Sequence, residues 1–298
     1  MNSVNISFLI LNYNSYKDTI SFVQHILNQE KIIQLPPILI VDNCSSDHSF
    51  DILLQNFQDN QNIEVIQTQY NGGYGYGNNW GIKHLQQTYN PEFIIISNPD
   101  ITANVAIIPE MLKTFQVDKK IAAVSVQMVN SNNKHQLSAW TLPNLFDDII
   151  LSVGLLKAIF GNPVEYPKIM KSQYVEILQG AFFMIKSKAM NEIGGYDEKM
   201  FLYGEERILG FKLKEIGYKL YFLPHLSFIH QVGNTINKIF PSKLSKFRIL
   251  QKSRRHYQSK YLKQNRIKLF VFDLFTLVGI MEKWVLDIFT DMKSHESH

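Results

Sequence analysis

The chain has 298 residues and a single cysteine, Cys44. No internal disulfide can form and no cysteine-based zinc site can be built, so a reducing compartment fits best. Long apolar runs are missing as well. The N-terminal stretch MNSVNISFLILNYNS carries only a short apolar run, closed by Asn12 and preceded by no basic leader. It reads as a buried strand and not as a signal-peptide core. No Pro-rich, Gly/Ser-rich or repetitive segment marks a disordered linker or a solenoid, and an apolar fraction of 45 % is that of a folded protein. The length accommodates one large α/β domain, or a domain with an appendage.

Acidic residues are absent from one stretch in particular. Lys238 to Lys268 holds eleven basic residues and no acidic one. Residues 1–237 carry 17 Lys/Arg against 21 Asp/Glu, whereas residues 238–298 carry 13 against 5. A basic tail on an acidic body suits an anionic membrane surface or nucleic acid. No nucleic-acid-binding motif accompanies the charge, which argues against nucleic acid.

What is present begins with three apolar, β-branched or aromatic runs, Ile6 to Leu11, Ile38 to Val41 and Phe93 to Ile96. Between them lie helix-like stretches, Ser15 to Asn28 and His48 to Phe57, and a further strand, Ile63 to Gln67. Alternating strands and helices predict a parallel sheet wound by helices. Each apolar run ends in polar residues, giving LNYN, VDNCSSD and SNPD. In open α/β sheets the ligand crevice lies at those carboxyl ends, although strand ends also recruit Asn, Asp and Ser as turn formers.

The segment YNGGYGYGNNWGIK, residues 70–83, packs five glycines into a loop that enters a helix-like stretch. Glycine lets a backbone approach a phosphate closely, and a helix N-terminus favours an anion. A dinucleotide fingerprint is lacking, since Gly73, Gly75 and Gly77 alternate strictly and no register supplies G-x-G-x-x-G. That weakens a hydride-transfer reading. Further on come GAFF (180–183), GGYDEKMFLYGEE (194–206) and LSFIH (226–230).

Taken in order, these motifs resemble the family 2 glycosyltransferases of the GT-A fold, in particular the rhamnosyltransferase-like branch that builds bacterial surface polysaccharides. The resemblance covers roughly residues 5 to 235. It implies a nucleotide-diphosphate donor, dTDP-rhamnose or a UDP-hexose, and a divalent metal, Mn2+ or Mg2+. Asn12, Tyr13 and Asn14 would line the nucleoside pocket, with Asp42 accepting the imide N–H of uracil or thymine beside Asn43. Asn71, Gly73 and Asn79 match the loop beneath the nucleotide. SNPD stands where the family carries its acidic metal motif, which makes Asp100 the metal ligand, with Asn98 in the first position and His230 as a second ligand. Asp100 as a turn cap and His230 as a structural residue are the alternatives; His225 reads as structural.

On the acceptor side, an inverting transfer needs a carboxylate to take the proton of the attacking hydroxyl. The family holds a Glu-Asp pair there, followed two residues later by an aspartate; this chain has Glu205, Glu206 and Ile208. Glu206 is the expected base. The longer side chain and the missing acid leave a second reading, a catalytically silent sugar-nucleotide-binding partner of another transferase. Asp197 and Tyr203 are acceptor-side candidates, Asp197 equally a turn cap. Phe182 and Phe183 read as core.

By the same resemblance, residues 1–237 form the catalytic domain, a donor half to about residue 100 and an acceptor half beyond, and residues 238–298 a helical extension. In that extension Phe270, Leu274, Leu277, Met281, Trp284 and Ile288 recur at alternating spacings of four and three, a helical face. Asp273, Glu282, Lys283 and Asp287 interrupt it, which argues against a membrane span. The face could lie in a membrane interface, where a lipid-linked glycan acceptor would be met, or pack on the catalytic domain or on the second subunit of a homodimer. The resemblance places the protein in the cytoplasm, peripheral on the inner membrane.

Overall fold

The computed structural model describes residues 4–29, 35–164, 171–230 and 242–295. The chain divides into two compact units: Met1–Trp140 with Tyr166–Phe201 and Glu205–Thr235, and Thr141–Glu165 with Leu202–Gly204 and Ile236–His298. The helical unit therefore recruits residues 141–165 from the middle of the chain and does not begin at 238.

The first unit is built on a mostly parallel sheet. Its strands are β1 (Ile6–Asn12), β2 (Ile38–Asp42), β3 (Ile63–Gln67), β4 (Phe93–Ser97), β5 (Ile101–Ala103), β6 (Ile121–Val129), β8 (Gln173–Val175), β10 (Phe182–Lys186) and β11 (Lys219–His230), with β7 (Ala139–Trp140) and β9 (Ile177–Leu178) as a separate pair. Spatial order is β3-β2-β1-β4-β10-β6-β11-β5, with β8 also pairing β11. β1, β2, β3 and β4 run parallel, whereas β10 is antiparallel to both β4 and β6.

The predicted strands and helices of the first hundred residues all form, because both faces of the sheet are covered. A sheet buried on both sides needs continuous apolar strands, and every residue of β2, β4 and β6 is buried. Alternate side chains serve opposite layers. Phe8, Ile10, Ile38 and Ile40 pack with Phe22, Ile26 and Leu53 from helices α1 (Tyr16–Leu27) and α2 (Ser49–Phe57). Leu9, Leu39 and Val41 pack with Ile82 and Leu85 of α3 (Gly73–Thr88) on the other side. The remaining helices of the unit are α4 (Ile108–Thr114), α7 (Ser187–Glu192) and α8 (Glu205–Glu215).

The register aligns the strand ends that matter. Asn12 stands opposite Asp42, and Asp42 opposite Gln67, so LNYN and VDNCSSD emerge side by side at the carboxyl edge. The strand order reverses between β1 and β4, and that switch point opens the crevice.

In the glycine-rich segment the loop is only residues 70–72, α3 begins at Gly73, and the glycines within the helix serve packing. A Cβ on Gly81 would overlap Leu9, and one on Gly77 would overlap Leu11, so the helix backbone rests directly on the sheet. Gly73 is the one position where the conformation itself demands glycine, with φ +87° and the Phe201 carbonyl where a Cβ would be.

The second unit is helical among its described residues: α5 (Leu145–Ser152), α6 (Gly154–Phe160), α9 (Lys243–His256) and α10 (Arg266–His295), with a π turn at Tyr257–Tyr261. Its interior holds a polar network. Asp148, fully buried, accepts from Gln258 at 2.7 Å and lies 3.5 Å from Arg254, while Ser152 bridges to Gln251 at 2.9 Å. A buried carboxylate requires such partners, and the basic tail supplies them. Two of the tail's cations are thereby spoken for, Arg254 here and Arg255 with Asp273 at 2.7 Å.

Candidate active site

The ends of β1 and β2 are tied by one small network. Asp42 is fully buried, and its two oxygens receive four protein donors: Ser45 N–H (2.9 Å), Gln67 Nε2 (3.1 Å), Ser45 Oγ (2.6 Å) and Asn12 Nδ2 (2.7 Å). Four is about the accepting capacity of a carboxylate. In this structure Asp42 therefore organises the VDNCSSD turn and has no oxygen left for a nucleobase imide unless a donor such as Gln67 moves aside. Asn12 is likewise enclosed, giving its amide N–H to Asp42 and accepting Thr19 Oγ1 at 2.7 Å. Asn14, at φ 49°, accepts Ser46 N–H at 2.8 Å and fixes the opposing loop. Tyr13, half-buried, lies between these two anchored asparagines.

Asn43 and Asn71 join this edge to α3. The Asn43 amide donates to Asn71 Oδ1 (3.0 Å) and to the Gly73 carbonyl (3.1 Å), and Asn71 Oδ1 also accepts the Gly73 N–H. Asn79 joins α3 to the GGYDEKM turn. Its carboxamide grips the Tyr196 backbone at both ends, N–H to Oδ1 at 2.8 Å and Nδ2 to carbonyl at 3.0 Å, and reaches Glu198 at 2.9 Å. It thereby holds the GGYDEKM turn against α3. Asp197 caps that same turn by accepting Lys199 N–H at 3.1 Å.

Asp100 and His230 come together from 130 residues apart, because β11 pairs antiparallel with β5 and sets His230 opposite Ile101. His230 Nε2 stands 3.1 Å from Asp100 Oδ1, and its Nδ1 is 3.2 Å from Met128 Sδ. That 3.1 Å separation suits a ring N–H donating to the carboxylate, and equally two ligands of one cation. Neighbouring ligands of an octahedral Mg2+ or Mn2+ stand about 3 Å apart, so the donor set and its spacing fit such an ion. Among the described residues no group of three His, Cys, Asp or Glu could hold a metal, so the other positions would fall to water and to phosphate oxygens. Asn98, next to this pair, donates its N–H to the Ala181 carbonyl at 2.8 Å. His225 pairs with Glu110 at 2.5 Å at the surface, a structural contact.

The carboxylate pair opens α8, where the helix dipole favours acids. The two side chains meet different surroundings. Glu206 is partly exposed and borders a small apolar pocket with Ala123, Leu178, Phe183, Leu209 and Leu220. Glu205 is buried, and its Oε1 has no hydrogen-bond partner. Burial first, and the neighbouring Glu206 charge second, push the Glu205 carboxyl well above the ordinary range. Tyr74 stands over the pair; burial and Glu206 hold its hydroxyl protonated, and it donates to the Gly180 carbonyl at 2.7 Å. Tyr196 packs edge-on to Tyr74 at 5.6 Å. A Cβ on Gly180 would lie 3.2 Å from Glu206 Oε1, so glycine there leaves the carboxylate its room.

Ile208 is buried, so the position where the resemblance anticipates a third acid faces the interior. Phe182 and Phe183 are core, as expected. Tyr203 belongs to the second unit with Leu202 and Gly204 and adopts φ 68°. Sequence reasoning overlooked Tyr74, Gln67, Ser45, Thr19 and Met128. Tyr74 and Ser45 lie inside motifs already quoted, whereas Met128 sits on β6, 102 residues from His230, and nothing in the sequence marks it.

Comparison with known proteins decides the family. Residues 7–194 match the model for glycosyl transferase family 2. The chain belongs to that family. It is 23 % identical over 242 residues to the rhamnosyltransferase WbbL of Escherichia coli, covering 76 % of this chain and 89 % of the relative. It is 27 % identical over 201 residues to the low-salt glycan biosynthesis hexosyltransferase Agl10 of Haloferax volcanii, covering 67 % of this chain and 59 % of that one. The Mycobacterium tuberculosis N-acetylglucosaminyl-diphospho-decaprenol L-rhamnosyltransferase is 22 % identical, with 67 % and 68 % covered. Among solved structures, GalNAc-T7 with UDP, GalNAc and Mn2+ superposes with a TM-score of 0.61 at 15 % identity, over 98 % of this chain and 58 % of that one. The Pyrobaculum calidifontis mannosyltransferase PcManGT with GDP-Man and Mn2+ gives 0.57 at 13 % identity, over 94 % and 69 %. These likenesses show the GT-A fold.

The buried acid of the pair has a measurable signature. Because the folded state keeps the Glu205 proton to a higher pH than the unfolded chain does, its contribution to stability is complete below about pH 4.5 and is lost as pH rises through the raised value. Glu205→Gln removes that loss. The variant is expected to be more stable than wild type by about 1–3 kcal/mol near neutral pH, with a flatter pH profile. Thermal melts between pH 4 and pH 8 check it, and a wild-type profile parallel to that of the variant would refute it.

Proposed function

We propose that this protein transfers a rhamnosyl or other hexosyl unit, with inversion, from a nucleotide-diphosphate donor to a hydroxyl of a growing, lipid-linked surface glycan. The observation that carries the reading is that the metal-type pair and the carboxylate pair flank one backbone segment. Asn98, two residues before Asp100, bonds to Ala181, while Tyr74 bonds to Gly180 beside Glu206. Donor chemistry and acceptor chemistry thus adjoin across Gly180 and Ala181.

The acceptor hydroxyl oxygen forms the new bond to the anomeric carbon as the bond from that carbon to the diphosphate breaks, and Glu206 takes the hydroxyl proton. Asp100 and His230 would hold a divalent cation, whose chemistry is to neutralise the departing diphosphate. Asn12, Asp42, Asn43 and Asn71 keep the strand ends in place around the nucleoside, with Tyr13 offering a ring between them. Relatives named as rhamnosyltransferases, one of them acting on a decaprenol-linked sugar, favour dTDP-rhamnose and a polyprenyl-diphosphate acceptor. UDP-hexoses stay in the donor panel, since uracil and thymine share the imide edge.

Glu206 and Ile208, where the family has two aspartates, favour one competing reading, a silent nucleotide-sugar-binding partner. Nucleotide release separates the two. With Mn2+ and a polyprenyl-diphosphate-linked acceptor, one donor of a dTDP-, UDP- and GDP-sugar panel is expected to turn over. Tight nucleotide-diphosphate binding by calorimetry, without turnover of any donor, would select the silent partner.

A further inference from the structure

Helix α10 has two apolar faces, and its own unit uses only one. The inward face is occupied: Phe272 is buried, Gly279 lies against the Ser152 carbonyl, and the Glu282 carboxylate accepts the Gly154 N–H at 2.6 Å. On the other side Ile267, Phe270, Leu274, Leu277, Met281 and Trp284 are 52–75 % exposed. Their spacings of three and four make one continuous stripe. Val271, Val278 and Val285, also exposed, widen it along one flank. Exposing so much contiguous apolar surface is unfavourable without a partner.

Charge identifies the partner. Lys260, Lys263, Arg266 and Lys268 are exposed at the start of the stripe. The two acids between Arg266 and Val285 are engaged elsewhere, Asp273 with Arg255 and Glu282 with Gly154. A basic start beside an aromatic and aliphatic face matches a helix lying in a lipid interface, with Phe270 and Trp284 at the headgroup level. A second copy fits less well. A helix–helix seam is specified by charges flanking the apolar positions, and here one flank is a row of valines. No helix among the described residues is long and apolar enough to cross a membrane.

We propose that the Ile267 to Trp284 face docks on an anionic bilayer surface, with the Lys260 to Lys268 cluster against the headgroups. This deepens the transfer reading by bringing the enzyme to a lipid-linked acceptor, and it rests on that reading for its purpose alone. Sedimentation with phosphatidylcholine vesicles, with and without phosphatidylglycerol, tests it on the full chain. Wild type is expected to partition to the anionic vesicles, with a blue shift of Trp fluorescence that Trp284→Phe abolishes. L277E/M281E is expected to lose partitioning about tenfold or more, and K263E/R266E to lose the preference for anionic lipid. Equal partitioning of wild type and L277E/M281E would overturn the proposal. So would a wild-type dimer in light scattering that L277E/M281E dissociates while neither protein binds vesicles, an outcome that assigns the face to a second copy. Turnover on a short soluble acceptor reports the transfer reading separately, since neither double variant touches the carboxylate or metal-type pairs.

Discussion

Glu206→Gln is expected to lower turnover by about a thousandfold while nucleotide-diphosphate affinity stays within twofold of wild type, the size expected for loss of a general base. Glutamine keeps the length of the side chain, its place beside Gly180 and its border on the apolar pocket, so packing is preserved and only the proton acceptor is lost. Glu205→Gln provides the contrast. Glu205 is buried, away from the pocket that Glu206 borders, and burial pushes its carboxyl well above the ordinary range; its replacement is expected to leave turnover within about tenfold while raising stability. Stopped nucleotide-release assays with the matched donor give both rates. Wild-type turnover in Glu206→Gln would remove Glu206 from the mechanism. The reverse pattern, with Glu205→Gln inactive and Glu206→Gln active, would exchange the roles of the pair.

The second large effect lies at the Asp100–His230 pair. Asp100→Asn and His230→Ala are each expected to lower kcat/KM about a hundredfold or more, because the leaving diphosphate loses charge stabilisation. If both act through one ion, the double variant falls little further than the worse single, since residues that act as a unit are not additive. A binding readout is independent of turnover: Mn2+ titration followed by electron spin resonance should show a nucleotide-dependent site in wild type that is weakened in each variant. Full activity in excess chelator, or losses that multiply in the double variant, would show that the pair serves the fold instead, as a His–carboxylate bond joining β11 to the β4–β5 turn.

These outcomes also settle what the departures from the family pattern mean. Ile208 costs the chain nothing structurally, because the position faces the interior and a carboxylate there would need a buried partner. Glu206 sits beside a glycine that leaves room for its extra methylene. Both observations agree with a site adjusted around glutamate, which is why activity is the expected result.

Much of the fold was legible because its causes are local or periodic. β2 and β4 are apolar throughout because a sheet covered on both faces needs no polar side, and α1 and α2 announce themselves by spacing. The candidate site was legible as a set of polar strand ends, yet the direction of each side chain was not. Asp42 turns inward on its own loop, Asn79 grips Tyr196, and the glycines of α3 seat a helix on the sheet. A motif records residue type and order; which of several neighbours a hydrogen bond selects depends on distances that exist only after folding.

The sequence by itself determined the parallel α/β order, the motif series and the apolar stripe of the last helix, because backbone period and turn chemistry act over a few residues. Only the tertiary structure decided that Asp100 meets His230 with Met128 behind it, that Glu205 is buried while Glu206 meets solvent, and that the stripe on α10 stays uncovered within its unit. Each of these depends on strand pairing or helix packing between segments distant in the chain, where burial and proximity are set by the whole core and not by local pattern.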